Sequence, residues 1–441
     1  MSDHTSYLSL GEVSENVSRP FNFSKYEEVV FINTGDVLDG KFINKTPTSK
    51  VGLPGQAKKK ILKGDLLFSE IRPANRRFAR VDFSADNFVV STKFMVIRAN
   101  GKIDPNFLYI FLSQQKTLNE LQHIAESRSG TFPQITFDAI SHLKIPLPPN
   151  EIQKDIVNFI ESINYKIENN SQMNEKLEEM ARAIFKSWFV DFDPVHAKCL
   201  GKAPAHMDAD TAALFPSSFD DDGLPIGFTS KTLKDNDTEL ESGKRPKGGI
   251  DKSLDEGIPS IGAESLQKIG EFEYSKVKFV GKEFAEKSSK GWVQNYDVAI
   301  YKDGANVGDS TRVGLFGNGF PFDKFMVNEH VFLLRSKELG QPFLYSLCQS
   351  EMLSNQLKSM GTSKAAQPGL NQQEILSCKY IAPPKVLSSA FNKLTSPFIN
   401  RRLALGLENQ TLTQLRDTLL PKLMSGVIDF KDAEREVEAA V

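Results

Sequence analysis

Apolar residues in 150–192 fall at Ile156, Ile160, Ile163, Ile167, Leu177, Ala181, Ile184 and Trp188. This alternating four- and three-residue step keeps one seam of a helix facing a partner helix. Asn170 and Asn174 fill the positions where the series lapses. Polar residues at such positions weaken a helix pair but fix its register and its partner. A helix this long cannot bury its own seam, so another segment or another chain must cover it. A second series, Leu387, Phe391, Leu394, Phe398, Leu405, Leu412, Leu415 and Leu419, supplies a candidate. Pro397 is expected to kink that second helix. Periodicity alone leaves parallel and antiparallel pairing both open.

Before the first long helix the pattern is shorter. Runs at 29–32, 61–71, 79–83 and 89–97 read as strands between Gly, Pro and Asp/Asn punctuation. Asp104-Pro105 starts a helix expected over 106–121, and a Ser-Gly-Thr loop at 127–136 leads to a short helix at 137–142 and an extended exit at 143–149. This is a mixed α+β domain. Residues 193–229 lose periodicity and read as a linker holding one helical turn.

Past the linker the chain repeats itself. Asn295-Tyr296-Asp297 answers Lys63-Gly64-Asp65, Pro342-Phe343-Leu344-Tyr345 answers Asn106-Phe107-Leu108-Tyr109, and Pro368 and Pro383-Pro384 answer Pro133 and Pro148-Pro149. One unit, globular domain then long helix, has been used twice. The expected organisation is a domain at 1–149, a helix at 150–192, the linker, a second domain at 230–384, a second helix at 385–430, and a tail at 431–441 that reads as a frayed helical end.

With IPLPPNEIQKDIV and SWFVDFDPV at the first helix, QLRDTLLPKLMSG at the second and the linker AKCLGKAPAHMDADTAALFPSSF, the chain resembles the DNA-specificity subunit of type I restriction–modification systems. The resemblance covers nearly the whole length. It implies two target-recognition domains, each reading half of a split, asymmetric site in double-stranded DNA, with the helices as an antiparallel coiled coil that sets the gap. It also implies methyltransferase subunits docked on the long helices and motor–nuclease subunits joining for restriction. S-adenosylmethionine, ATP and magnesium then belong to those partners, and this chain binds no cofactor directly.

Composition adds bounds. The chain has 441 residues, 40% hydrophobic and 25% charged, which is ordinary for a soluble protein of two to four domains. Cys199, Cys348 and Cys378 are odd in number and widely spaced, as expected of unpaired thiols in a reducing compartment. With no secretory signal and no membrane-length apolar run, a cytoplasmic protein is expected.

Signatures of chemistry are missing. Pro148-Pro149 is followed by Asn150 and Pro383-Pro384 by Lys385, so neither forms the Asn/Asp-Pro-Pro-Tyr of an amino-methyltransferase. Asp39-Gly40-Lys41 and Asp429-Phe430-Lys431 read as a turn and a helix end, not as the clustered carboxylates and lysine of a nuclease. No phosphate-binding Gly-x4-Gly-Lys-Ser/Thr occurs, and Phe316-Gly317-Asn318-Gly319 reads as a type I′ hairpin turn. His196, His206 and Cys199 lack a fourth metal ligand.

The net charge of −2 hides a local surplus: residues 25–149 hold 18 Lys and Arg against 12 Asp and Glu. Cations for phosphates and bidentate donors for base edges are what DNA binding demands. Candidates in the first domain are Lys58, Lys59 and Lys60, then Arg72, Arg76, Arg77 and Arg80 in RPANRRFAR, with Arg128, Thr131 and Gln134 around the Ser-Gly-Thr loop. In the second they are Lys244, Arg245, Lys247, Lys302, Asn306, Arg312, Ser363, Lys364 and Gln367. The lysine triplet is expected to hold phosphate and Arg76 or Arg77 to read bases. The competing reading is a coiled-coil scaffold or adaptor with two protein-binding domains, its cations serving only as solvated edges.

Overall fold

A computed structural model describes residues 6–128, 132–250, 254, 256–303, 308–362 and 369–440. The chain is a mixed α/β protein that divides into two units: Met1–Lys166 with Thr411–Val441, and Ile167–Gln410.

Each unit is built on a four-stranded antiparallel sheet. In the first the order is Phe78–Arg80, Leu66–Ser69, Phe94–Ala99, Ser14–Asn16. In the second it is Gly314–Phe316, Asp297–Tyr301, Val331–Arg335, Glu239–Ser242. The central strands read as unbroken apolar runs because both faces are covered. Leu66, Phe68, Met95 and Ile97 join one core with the helices, while Leu67, Phe94 and Val96 join another. In the second unit Val298, Ile300, Phe332 and Leu334 are likewise separated from Ala299 and Leu333.

The duplication extends past the sheet. Ser6–Ser9 pairs with Lys144–Leu147 as Thr229–Thr232 pairs with Lys379–Ala382, and among the described residues each unit has one parallel strand pair, Glu28–Ile32 with Phe88–Ser91 and Ile258–Ile261 with Met326–Val327. The repeated aspartate does the same local work in both. Asp65 accepts from the Leu62 N–H (2.7 Å), Arg98 (2.6 Å) and Arg19 (2.8 Å); Asp297 accepts from the Gln294 N–H (2.8 Å) and Arg335 (2.6 Å). A carboxylate that ties a turn and pairs with arginine can be fully buried, as both are.

The helix expected over 106–121 is two helices, Pro105–Ser113 and Gln115–Arg128, because Gln114 adopts extended backbone. Its start is as expected: Asp104 caps the N–H groups of Asn106 and Phe107, with Pro105 in the first turn.

The long helices span Asn150–Phe189 and Lys385–Ser425, the second unbroken at Pro397. In the first unit Ile156 and Ile160 share a core with Leu419, Leu420 and Leu423. In the second unit Asn170 meets Asn409 (3.0 Å), Asn174 meets Arg402 (2.6 Å) and Phe185 packs on Phe391. Residue numbers fall on one helix as they rise on the other, so these segments run antiparallel. The second heptad series needs correction. Leu394 is 42% exposed, and Thr395, Ile399 and Arg402 take the buried side. Thr395 is buried without cost to its hydroxyl, which bonds the Phe391 carbonyl (2.8 Å).

Two segments are more ordered than expected. The linker contains two helices, Asp193–Cys199 and Ala209–Ala213, and buries Val195, Phe215 and Phe228 beside Trp188. The tail forms a helix, Phe430–Ala440, with Asp429 capping the Asp432 N–H (3.0 Å) and Ala433 fully buried.

Candidate nucleic-acid interface

In the first unit the basic loop and the Ser-Gly-Thr loop lie side by side. Ile71 bridges Gln134 in antiparallel fashion, and the Arg72 N–H donates to the Pro133 carbonyl (3.1 Å). Between Arg72 and Arg76 the chain makes a tight turn, Pro73–Asn75, and both arginines have left-handed backbone, φ 44° and 55°.

Most cations here are already engaged. Arg76 donates to Asp39 (2.7 and 3.0 Å) and Gln115 (3.0 Å), and Arg77 to the carbonyls of Gly35 (3.1 Å) and Val37 (3.0 Å). Arg80 donates to Glu161 (2.9 Å) and Asn106 while lying over the Tyr109 ring. Arg128 reaches the Thr136 hydroxyl (3.2 Å), and the Gln134 amide donates to Glu70 (3.0 Å). Arg72 is exposed and its guanidinium has no partner among the described residues.

The lysine triplet lies on the strand Ala57–Lys60, whose alternation separates its members. Lys59 turns inward and donates to the Phe94 carbonyl (2.6 Å), and burial pulls its ammonium below the ordinary lysine value against the opposing effect of Glu70. Lys58 is exposed, and Lys60, half-buried as Lys59 is, shares the face of Lys58 by the strand alternation. Thr131 lies outside the described residues.

The second unit repeats the edge. Asp303 bridges Gly369 as Ile71 bridges Gln134, and the Leu370 N–H donates to the Lys302 carbonyl (2.7 Å). The side chains differ throughout. Lys302 lies over the Phe332 ring and 3.7 Å from Asp303. His330 touches Asp303 (3.0 Å) and Glu329 (3.4 Å), and Glu329 reaches Arg245 (3.8 Å). Lys244 and Lys247 are exposed, and Arg312 is half-buried in the turn Ser310–Arg312. Asn306, Ser363, Lys364 and Gln367 lie outside the described residues.

Sequence reasoning missed the acids of this surface, Asp39, Glu70, Asp303 and Glu329, and His330 with them. Asp39, Glu70, Asp303 and Glu329 meet Arg76, Gln134, His330 and Arg245 across 27 to 84 residues of sequence, and no local spacing marks them. The same edge built twice with exchanged polar tips is an arrangement suited to reading two different ligands of one class.

Comparison with known proteins defines that class. The chain is 36% identical to the type I restriction enzyme HindI specificity subunit of Haemophilus influenzae, over 97% of this chain and the whole of that one. It belongs to the specificity-subunit family of type I restriction enzymes. The type I restriction modification DNA specificity domain matches residues 8–179. The MjaIX specificity subunit of Methanocaldococcus jannaschii is 26% identical over 76% of this chain and 72% of its own. The type I restriction-modification S subunit from M. genitalium shares the fold, with a TM-score of 0.52 at 16% identity over 96% of each chain. As a member of this family the chain serves DNA sequence specificity. Among the described residues no helix is long and apolar enough to cross a membrane.

Proposed function

We propose that this chain reads a bipartite, asymmetric DNA target, one half per unit, and directs methyltransferase and motor–nuclease subunits to it while performing no chemistry of its own. The helices Asn150–Phe189 and Lys385–Ser425 act as an antiparallel coiled-coil spacer and as the docking site for methyltransferase subunits. S-adenosylmethionine, ATP and magnesium are held by the partners. The observation that carries this reading is the duplicated sheet: identical strand order and the same paired loop edge, with almost every polar side chain on that edge changed. A protein-binding adaptor has no need to keep one scaffold twice and vary only the tips of its basic edge.

The test is to co-express the chain with its methyltransferase subunit and map methylated adenines across the host genome. The reading expects two short specific elements separated by a gap of fixed length. A single uninterrupted motif, or methylation without sequence preference, would overturn it.

A further inference from the structure

We propose that Arg72 is the base-reading arginine of the first unit, taking the major-groove edge of a guanine, and that Arg76, Arg77 and Arg80 hold the loop that presents it. This rests on the DNA-reading role above and names the residue that performs it.

Four arginines lie within nine positions, and the structure separates them by what their guanidinium groups already touch. Arg76 is committed to Asp39 and Gln115, Arg77 to two carbonyls, and Arg80 to Glu161 and Asn106. A bidentate contact to guanine O6 and N7 takes two N–H groups on one edge of a guanidinium that can swing to the base. Arg76 has every nitrogen engaged, Arg77 and Arg80 are each anchored to the fold through Nη1, and Arg72 has no side-chain partner among the described residues.

Its backbone is held from every side. The Arg72 N–H bonds Pro133, its carbonyl accepts from the Asn75 N–H (2.8 Å), the Ala74 N–H bonds the Gln122 side chain (3.1 Å), and the Arg76 carbonyl accepts from the Asp39 N–H (2.8 Å). The left-handed conformation is one that a long side chain rarely adopts, and its persistence here marks a position over-determined by its surroundings. A fixed base with a free donor fork is what a reading group requires, because little order remains to be imposed on binding. In sequence, Gly304 follows the bridging Asp303 as Arg72 follows the bridging Ile71, so the second unit lacks an arginine at that step.

The experiment uses the full chain assembled with its methyltransferase subunit, comparing Arg72→Ala, Arg72→Lys and Arg76→Ala by genome-wide adenine-methylation mapping and thermal melting. Both Arg72 variants are expected to melt as the parent does and to methylate sites altered at one position of one half about tenfold or more faster relative to the parent motif. The lysine variant fails with alanine because a point charge does not replace the fork. Arg76→Ala is expected to melt earlier with its motif unchanged.

Three outcomes overturn the proposal: an unchanged motif in Arg72→Ala, a uniform loss of methylation at all sites, or full fidelity in Arg72→Lys, the last two being the behaviour of a phosphate contact. Exchanging residues 25–149 in the same assay keeps the two claims apart. If the exchange rewrites one half-site and the Arg72 variants do not, this assignment alone fails. If the exchange rewrites neither half, the one-unit-per-half reading fails with it.

Discussion

At the scale of single residues, side chains with similar prospects in sequence have different uses in the fold. Within RPANRRFAR the sequence favours Arg76 or Arg77 as the base reader, whereas distant partners, Asp39 and Gln115 for one and the Gly35 and Val37 carbonyls for the other, tie both to the fold. Those partners are fixed by tertiary packing, so no spacing rule within the motif could have found them. Turn chemistry was more legible. Asp39-Gly40 and Asn318-Gly319 have positive φ at both residues, as a type I′ turn demands. Gly40 adds a second constraint, since a Cβ there would run into the Tyr109 hydroxyl. Gly40→Ala is therefore expected to destabilise the first unit by about 1 kcal/mol or more, read as a lower urea midpoint. Unchanged stability would mean that Tyr109 moves aside without loss.

At the scale of elements, the first long helix was the most legible part of the chain, because one seam repeats over 40 residues. Its two asparagines prove to be buried members of that seam, at 4% and 5% exposure. What sequence could not show is their company. Arg402 is 2% exposed, bonds Asn174 (2.6 Å) and pairs with Glu178 (3.0 Å), which also meets Arg182 and Lys268. Asn174 in turn donates to the Ile269 carbonyl (2.7 Å), and a Cβ on Gly270 would strike the Arg402 carbonyl. Burial pushes the neighbouring Tyr345 hydroxyl up to about 12. An arginine in an apolar series reads as an interruption, whereas here it ties two helices and a loop together.

Glu178→Ala leaves Arg402 buried without its ion-pair partner and is expected to cost about 3–5 kcal/mol, while Glu178→Leu with Arg402→Met recovers most of that in a denaturant titration. A single-variant cost no larger than that of an exposed pair would show that water reaches the site. Asn170→Leu with Asn174→Leu keeps the seam apolar but removes its polar registration. The double variant is expected to methylate sites with altered gap lengths that the parent ignores, and an unchanged gap would leave the asparagines with a stability role only.

At the scale of the whole molecule, the internal repeat was visible in sequence as a few prolines and one aspartate-bearing turn. The structure extends it to strand order, register and the bridged loop edge. The order within 193–229 is not legible in the sequence because its core residues are sparse: Val195, Phe215 and Phe228 are spread over 34 residues with no period, yet each is buried. Duplication of scaffold with divergence of its edge underlies the proposal that each unit reads its own half of one target. The most direct measurement is adenine-methylation mapping after residues 25–149 are replaced by the corresponding segment of a relative with a different target. A motif changed in one half is expected, with the other half and the gap length preserved. Alteration of both halves together, in a complex that still assembles, would contradict it.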